Sequence, residues 1–363
     1  MLVSLYDHSN IDTIVWPKTQ MGATAKAVLL PMIRDGVTPY ISNVETTLNL
    51  LKLDEHLIPL TINEREYHSS YLTSNYYIIS GKQEKLSKST IRRSLVTAAG
   101  GFFKGIKINR SVLINNWLIS SNILPSLTLQ QLNTITQFLI VAFPTHSINF
   151  RSLYDDSISS FKQLKYALFQ AREIFGYDPK WKQTLTSQAR YHHRRDRRLV
   201  NKLGYLVLRN NELIGREKRI CELNRKIYID KHTKYGPAYT EKFFQVALLS
   251  PLFDFVALEK DGVIEGVFAA YKGEQKMCVP IFGYDPEHPQ MSQIYRMLTL
   301  LVIDESEHCG LFLNDGTGGD VTKQLRGMQK FPEYAAIYAR HLRPLRRSFW
   351  ALADHFTTSP TIK

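Results

Sequence analysis

The chain has little of what would announce a metal, a disulfide framework or a membrane span. Its 363 residues hold three cysteines, Cys221, Cys278 and Cys309. An odd count with no C-x-x-C pair excludes a disulfide scaffold and points to a reducing compartment. The 11 histidines include no H-x-x-x-H and no Cys/His spacing suited to zinc, so no metal site is expected. The longest apolar stretches, around 135–143 and 298–303, fall far short of the ~20 residues that span a bilayer. The N-terminal text MLVSLYDHSNIDT places an Asp and a His where a secretory leader needs an apolar core. No G-x-S-x-G elbow, P-loop or dinucleotide fingerprint occurs. The expectation is a soluble, cytoplasmic protein.

What is present is ordinary globular composition, 44% apolar and 22% charged, which excludes wholesale disorder. At about 150 residues per domain, two domains are expected, 1–180 and 181–363. Lys+Arg outnumber Asp+Glu by 46 to 33, a net charge of +13. The excess is local. Residues 190–202 carry six basic groups against one Asp, and 340–347 add four more with no acid, so these two segments supply +9 of the +13. Such concentration gives a polyanion such as phosphate, coenzyme A or RNA a specific place to sit.

The first 105 residues are the least legible. LVSLY, DTIVW and NYYIISG read as strands, 43–53 as a helix, and the Gly-rich 100–105 as a break. Beyond it the pattern sharpens: strand 111–118, helix 128–142, strand 147–153, helix 159–172, an α/β alternation. The basic segment 187–203 reads as a helix ending at Gly204. Strand 205–209 and helices 216–232 and 239–249 follow. Residues 253–260, the pair Asp261-Gly262 and the strand after it form a hairpin on a type I′ turn. A third strand (276–283), a helix (291–308), a strand (310–314), a short helix, a strand (333–339) and a last helix complete the chain.

Three meandering strands followed by helix, strand, helix and strand resemble the GNAT superfamily of N-acetyltransferases. The preceding unit, ending in the text His192-His193-Arg194-Arg195-Asp196-Arg197-Arg198-Leu199, resembles the first half of its two-module branch, the FemAB-like peptidyltransferases and CelD-like acyltransferases. The resemblance covers about residues 110–355. It implies an α/β (α+β) fold of tandem GNAT-like modules, each a mixed, mainly antiparallel sheet flanked by helices. It implies transfer of an acyl group from a thioester donor, acyl-CoA or an acyl carrier protein, onto an amine of a small molecule or peptide. The FemAB branch uses aminoacyl-tRNA instead, and a non-catalytic RNA-binding protein on the same scaffold is a third reading. No permanently bound cofactor is implied. Where acetyl-CoA users carry a Gly-rich pyrophosphate loop after the fourth strand, this chain has Gly283-Tyr-Asp-Pro-Glu-His-Pro-Gln. Its two prolines lack N–H donors and its two acids repel phosphate, which speaks against the usual donor there.

Acyl transfer to an amine needs a proton acceptor, an oxyanion donor and a group to serve the leaving atom. Tyr284 and Asp285, just after the third meander strand, are candidates for the leaving group and the amine. Glu333, at the start of the last strand, is a candidate base. Arg296 is a candidate ligand for a carboxylate or phosphate. The loop Asn314-Asp315-Gly316-Thr317-Gly318-Gly319, with Lys323 and Arg326 a turn apart beyond it, reads as an anion-binding loop. Arg194, Arg195, Arg197 and Arg198 form a polyanion contact, because like charges at i,i+4 repel and only one Asp relieves them.

Overall fold

The computed structural model describes residues 2–77, 100–154 and 156–358. The first half contains β1 (Val3–Tyr6), α1 (Gln20–Asp35), β2 (Thr47–Leu53), β3 (His56–Asn63), β4 (Ser111–Ile114), α2 (Leu129–Ala142), β5 (Ser147–Leu153), α3 (Ile158–Gln163) and β6 (Ala167–Tyr177). The second contains α4 (Ser187–Lys202), β7 (Leu206–Arg209), α5 (Glu217–Arg225), α6 (Glu241–Leu249), β8 (Phe253–Lys260), β9 (Val263–Lys272) and β10 (Lys276–Tyr284). It closes with α7 (Met291–Cys309), β11 (Phe312–Asn314), α8 (Asp320–Gln324), β12 (Gln329–Tyr338) and α9 (Pro344–Thr358).

Local chemistry explains the clear elements. Thr128 caps α2 in a reciprocal box with Gln131, and Thr186 caps α4. Asp261 and Gly262 both take positive φ, as the β8–β9 turn requires. Elsewhere the structure corrects the reading. Residues 47–53 are a strand, not a helix: Leu48 and Leu50 enter one core and Leu51 and Leu53 another, and a run buried on both faces has no diagnostic period. The expected strand DTIVW is no strand: residues 11–13 form a 3-10 turn that takes in its first two residues, and 14–16 pair with no strand among the described residues. Residues 75–77 and 100–105 are helical, and the rest of NYYIISG, 78–81, lies outside the described residues. The helix expected over 159–172 stops at Gln163; Lys165 takes φ +63° and the chain re-enters the sheet as β6.

Among the described residues the strands form one mixed α/β sheet in the order β1-β2-β3-β4-β5-β12-β6-β11-β10-β9-β8-β7. The halves are built alike, which is the tandem arrangement expected. Each is an antiparallel run of four strands whose last member pairs in parallel with a fifth, β4 with β5 and β10 with β11, across a helix. The sixth strands are exchanged. After α3 the chain crosses to lay β6 beside β11, and after α8 it crosses back to lay β12 beside β5. β6 and β12 pair with each other along the seam, with Arg172 opposite Glu333 at the middle of the ladder. One core joins α1, α5 and α6 to the sheet, a second lies under α4 and α7, and a third under α2 and α3.

Candidate active site

The parallel pairing of β10 with β11 lasts three residues, Lys276, Met277 and Cys278 opposite Phe312, Leu313 and Asn314. Beyond them β11 turns away and β10 continues with β9 alone, its register broken between Cys278 and Ile281. Pro280 stands in the parted stretch, where it leaves no N–H without an acceptor. Its carbonyl accepts from the Tyr228 hydroxyl at 3.0 Å.

The fork is floored by a network crossing the seam. Asn314 Nδ2 donates to the Tyr154 hydroxyl oxygen at 2.7 Å and to Glu333 Oε2 at 3.3 Å. Arg172 grips Glu333 through Nε at 2.8 Å and Nη2 at 3.1 Å, and Nη2 also donates to the Ser120 carbonyl and Ser121 Oγ. Cys278 Sγ donates to the Ser121 carbonyl at 3.2 Å. Burial pushes the Cys278 thiol and the Tyr154 phenol well above their ordinary values, so both stay protonated at neutral pH. Arg151 flanks the pair and donates through Nη1 to the Tyr71 and Leu72 carbonyls, each at 3.0 Å. Burial lowers Arg151 to about 10 and raises Tyr71 to about 12.

Backbone strain collects at the same place. Asn115, Leu118 and Ser152 take φ of 56°, 60° and 57°. For a leucine this is an outlier that surroundings must enforce. The Trp117 and Leu118 N–H groups donate to Asn122 and Asn116, the Tyr239 hydroxyl donates to the Leu118 carbonyl, and the Asn122 N–H donates to Ser152 Oγ. At the C-terminal ends of β4 and β5 a cavity of about 770 Å³ opens between the halves, lined by Trp117, Tyr154, Phe161, Tyr271 and Lys276 among others. Tyr154 therefore faces both this cavity and the Glu333 network.

The residues expected from sequence fall into three places. Glu333 and Asn314 are at the fork. Tyr284 and Asp285 lie at the far end of β10, roughly 20 Å along the strand from Cys278 at ~3.3 Å per residue. There the Tyr284 hydroxyl accepts from Lys231 Nζ at 2.9 Å. The Lys226 ammonium, 2.5 Å away, holds Asp285 below the usual carboxylate range. Asp285 also accepts from the Glu287 N–H, closing its turn. Arg296 and Arg326 meet on Asp196 of α4, with no charge left facing solvent on Asp196, which is fully buried. Arg326 is 1% exposed, and its carbonyl meets His193 at 2.9 Å.

The Gly-rich loop folds on itself. Asn314 Oδ1 accepts from the Gly316 N–H, and Lys323 reaches the carbonyl and carboxylate of Asp315. Burial raises Asp315. Gly319, at φ +70°, lies so close to the Tyr295 hydroxyl that a Cβ would overlap it. On α4, Arg195 turns to Asp196 and Arg197 to Asp304, while Arg194 and Arg198 are exposed with no acidic partner among the described residues. Sequence reasoning missed Tyr71, Arg151, Tyr154, Arg172 and Tyr228. The usable signal was a charge inside an apolar strand: Arg151 in SINFRSL and Arg172 in ALFQAREIFGY.

Among the described residues no three His, Cys, Asp or Glu side chains are placed to hold a metal ion, and no helix is long and apolar enough to cross a membrane. No family model and no curated protein matches the chain. Solved structures similar to it include FemX, at 9% identity over 98% of this chain and 100% of that one, with a TM-score of 0.49. L-PGS from Bacillus licheniformis is similar at 12% identity over 63% of this chain and 76% of that one, TM-score 0.42. A tandem GNAT protein from the clavulanic acid biosynthesis pathway is similar at 8% over 93% and 98%, TM-score 0.36. Roles of residues rest on the geometry of this chain alone.

Proposed function

We propose that the chain is an acyltransferase that moves an acyl group from a thioester, acyl-CoA or an acyl carrier protein, onto the amine of a small molecule or peptide by direct attack. The observation that carries this reading is the fork. β10 and β11 part beside a network in which Tyr154 accepts from Asn314 and so keeps its own proton to give. The amine nitrogen attacks the acyl carbonyl, the carbon–sulfur bond breaks, the departing sulfur takes the Tyr154 proton, and the proton shed by the amine nitrogen returns to the Tyr154 oxygen. Asn314, Glu333 and Arg172 hold Tyr154 in place, and Arg172 keeps Nη1 for a developing oxyanion. A thiol held neutral by burial at Cys278 favours direct transfer over an acyl-cysteine intermediate. The test is amine-dependent thiol release from an acyl-CoA series, read together with thermal stabilisation by each ester. One acyl length is expected to give both; release unaffected by Tyr154→Phe removes the assigned role.

A second reading, aminoacyl-tRNA as donor, is favoured by the exposed stripe Arg190, Arg194 and Arg198 on one face of α4. Bulk tRNA binding with a steep salt dependence, lost on charge reversal of Arg194 and Arg198, supports it. No binding of tRNA at low salt ends both this reading and the RNA-binder alternative.

A further inference from the structure

We propose that Arg151 and the Tyr71 hydroxyl form an anion subsite beside the fork that takes the carboxylate of the amine acceptor, so that the acceptor is an amino acid. The inference rests on the transfer reading above and names its substrate class. Arg151 is half-buried in the seam, and its described hydrogen bonds all leave from Nη1. Nε and Nη2, the edge that matches a planar carboxylate, donate to nothing among the described residues. The acid whose charge reaches it is Glu333, and both oxygens of Glu333 are taken by Arg172 and Asn314. Two guanidinium groups thus share one carboxylate, leaving a charge of +1 in a place with little water. A buried cation without a counter-charge is costly, and an anionic group on the ligand removes that cost.

Tyr71 supports the same conclusion from another element. Its ring stacks with Tyr77, which packs at a tilt against Tyr235, and its hydroxyl has no described partner. It lies within electrostatic range of both Arg151 and Arg172. Other charged or titratable groups near by are engaged elsewhere: Tyr228 donates to Pro280, Tyr239 to Leu118, and Tyr154 is bonded to Asn314. A single free guanidinium edge and one hydroxyl fit a monoanion of planar shape better than a phosphate dianion, which would also face Glu333.

The experiment titrates the protein with each of the twenty common L-α-amino acids and with the matching carboxamides, using thermal shift and calorimetry, and with inorganic phosphate as a separate arm. At least one amino acid is expected to stabilise saturably while its carboxamide does not. Arg151→Gln is expected to weaken that binding by at least about tenfold, and Arg151→Lys, which keeps charge but loses the fork, by less. Tyr71→Phe removes a hydroxyl with no described partner, so it keeps the fold and tests the subsite if Arg151→Gln does not fold. Carboxamides that bind as well as the acids, Arg151 or Tyr71 variants that bind as wild type, or Arg151-dependent binding of phosphate alone would each overturn the proposal. Acid-specific binding without any transfer overturns the transfer reading and leaves the subsite standing. Transfer to amines that lack a carboxylate, unchanged in Arg151→Gln, does the reverse.

Discussion

Asp196 and Glu333 both gather arginines across chain segments far apart in sequence, and the two clusters are finished differently. Asp196 is fully buried and takes Arg296 on one oxygen and Arg326 on the other, with Arg195 alongside. It ties the basic helix α4 to α7 and to the turn after α8. Glu333 is nearly as enclosed, but its neighbours Arg151 and Arg172 are only half-buried and keep donors with no partner among the described residues. The contrast separates anchoring from binding. Charge ratio does not separate the clusters, since Arg195, Arg296 and Arg326 all share Asp196. Exposure does, because a cluster closed around a fully buried carboxylate fixes elements, whereas half-exposed donors without a described partner have a ligand to meet.

The largest effect is expected at the anchor. Asp196→Asn leaves buried guanidinium groups without a counter-charge and should cost about 3–5 kcal/mol of stability in denaturant melts, with turnover per folded molecule unchanged. Burial alone would raise Asp196, but the hydrogen bond from Arg296 and the charge of Arg326 outweigh it and hold its carboxyl below the usual range. A depressed carboxylate contributes stability above its unfolded value, so this contribution is present above pH ~4 and is lost as pH falls further. Melts of wild type should therefore steepen in their acid decline relative to Asp196→Asn. Next in size, Tyr154→Phe at the fork should lower turnover about 10²-fold with little change in melting. If it melts early and turns over normally, the two clusters have been assigned the wrong way round. Smaller still, Tyr284→Phe and Asp285→Asn should keep turnover within about twofold, and the loss of the half-exposed Lys226–Asp285 pair should cost at most ~1 kcal/mol. Smallest of all, Arg194→Glu with Arg198→Glu should shift stability by no more than ~0.5 kcal/mol, because neither side chain meets an acid among the described residues.

The second half of the fold was readable because its signals are local. The I′ turn at Asp261-Gly262, the caps and the amphipathic stripe of α7 each lie within one window of sequence. β2 was not readable, since both of its faces are buried, and neither was β6, whose alternation overlaps a helical spacing and begins only after the turn at Lys165. The site was partly legible for the same reason. Glu333 and Asn314 stand at strand ends where such a fold collects polar groups. The arginines and tyrosines around them come from β5, β6 and the segment near Tyr71, which meet only through the strand exchange. Arg296 and Arg326 looked like ligands for a free anion because a sequence shows their charge and hides Asp196 between them.

The strand exchange also sets a schedule for synthesis. β5 is complete at Leu153, yet its partner β12 ends at Tyr338. During translation the edge of the first sheet must wait for some 185 further residues, roughly ten to forty seconds at 5–20 residues per second. Throughout that interval Ile148, Asn149, Phe150 and Leu153 lack their β12 neighbours, an open edge of the kind that seeds aggregation. β6 is complete at Tyr177 and waits for the same strand, since it too pairs with β12 along the seam. Yield from a cell should therefore depend on translation speed through residues 178–338 more than on the stability of the finished protein.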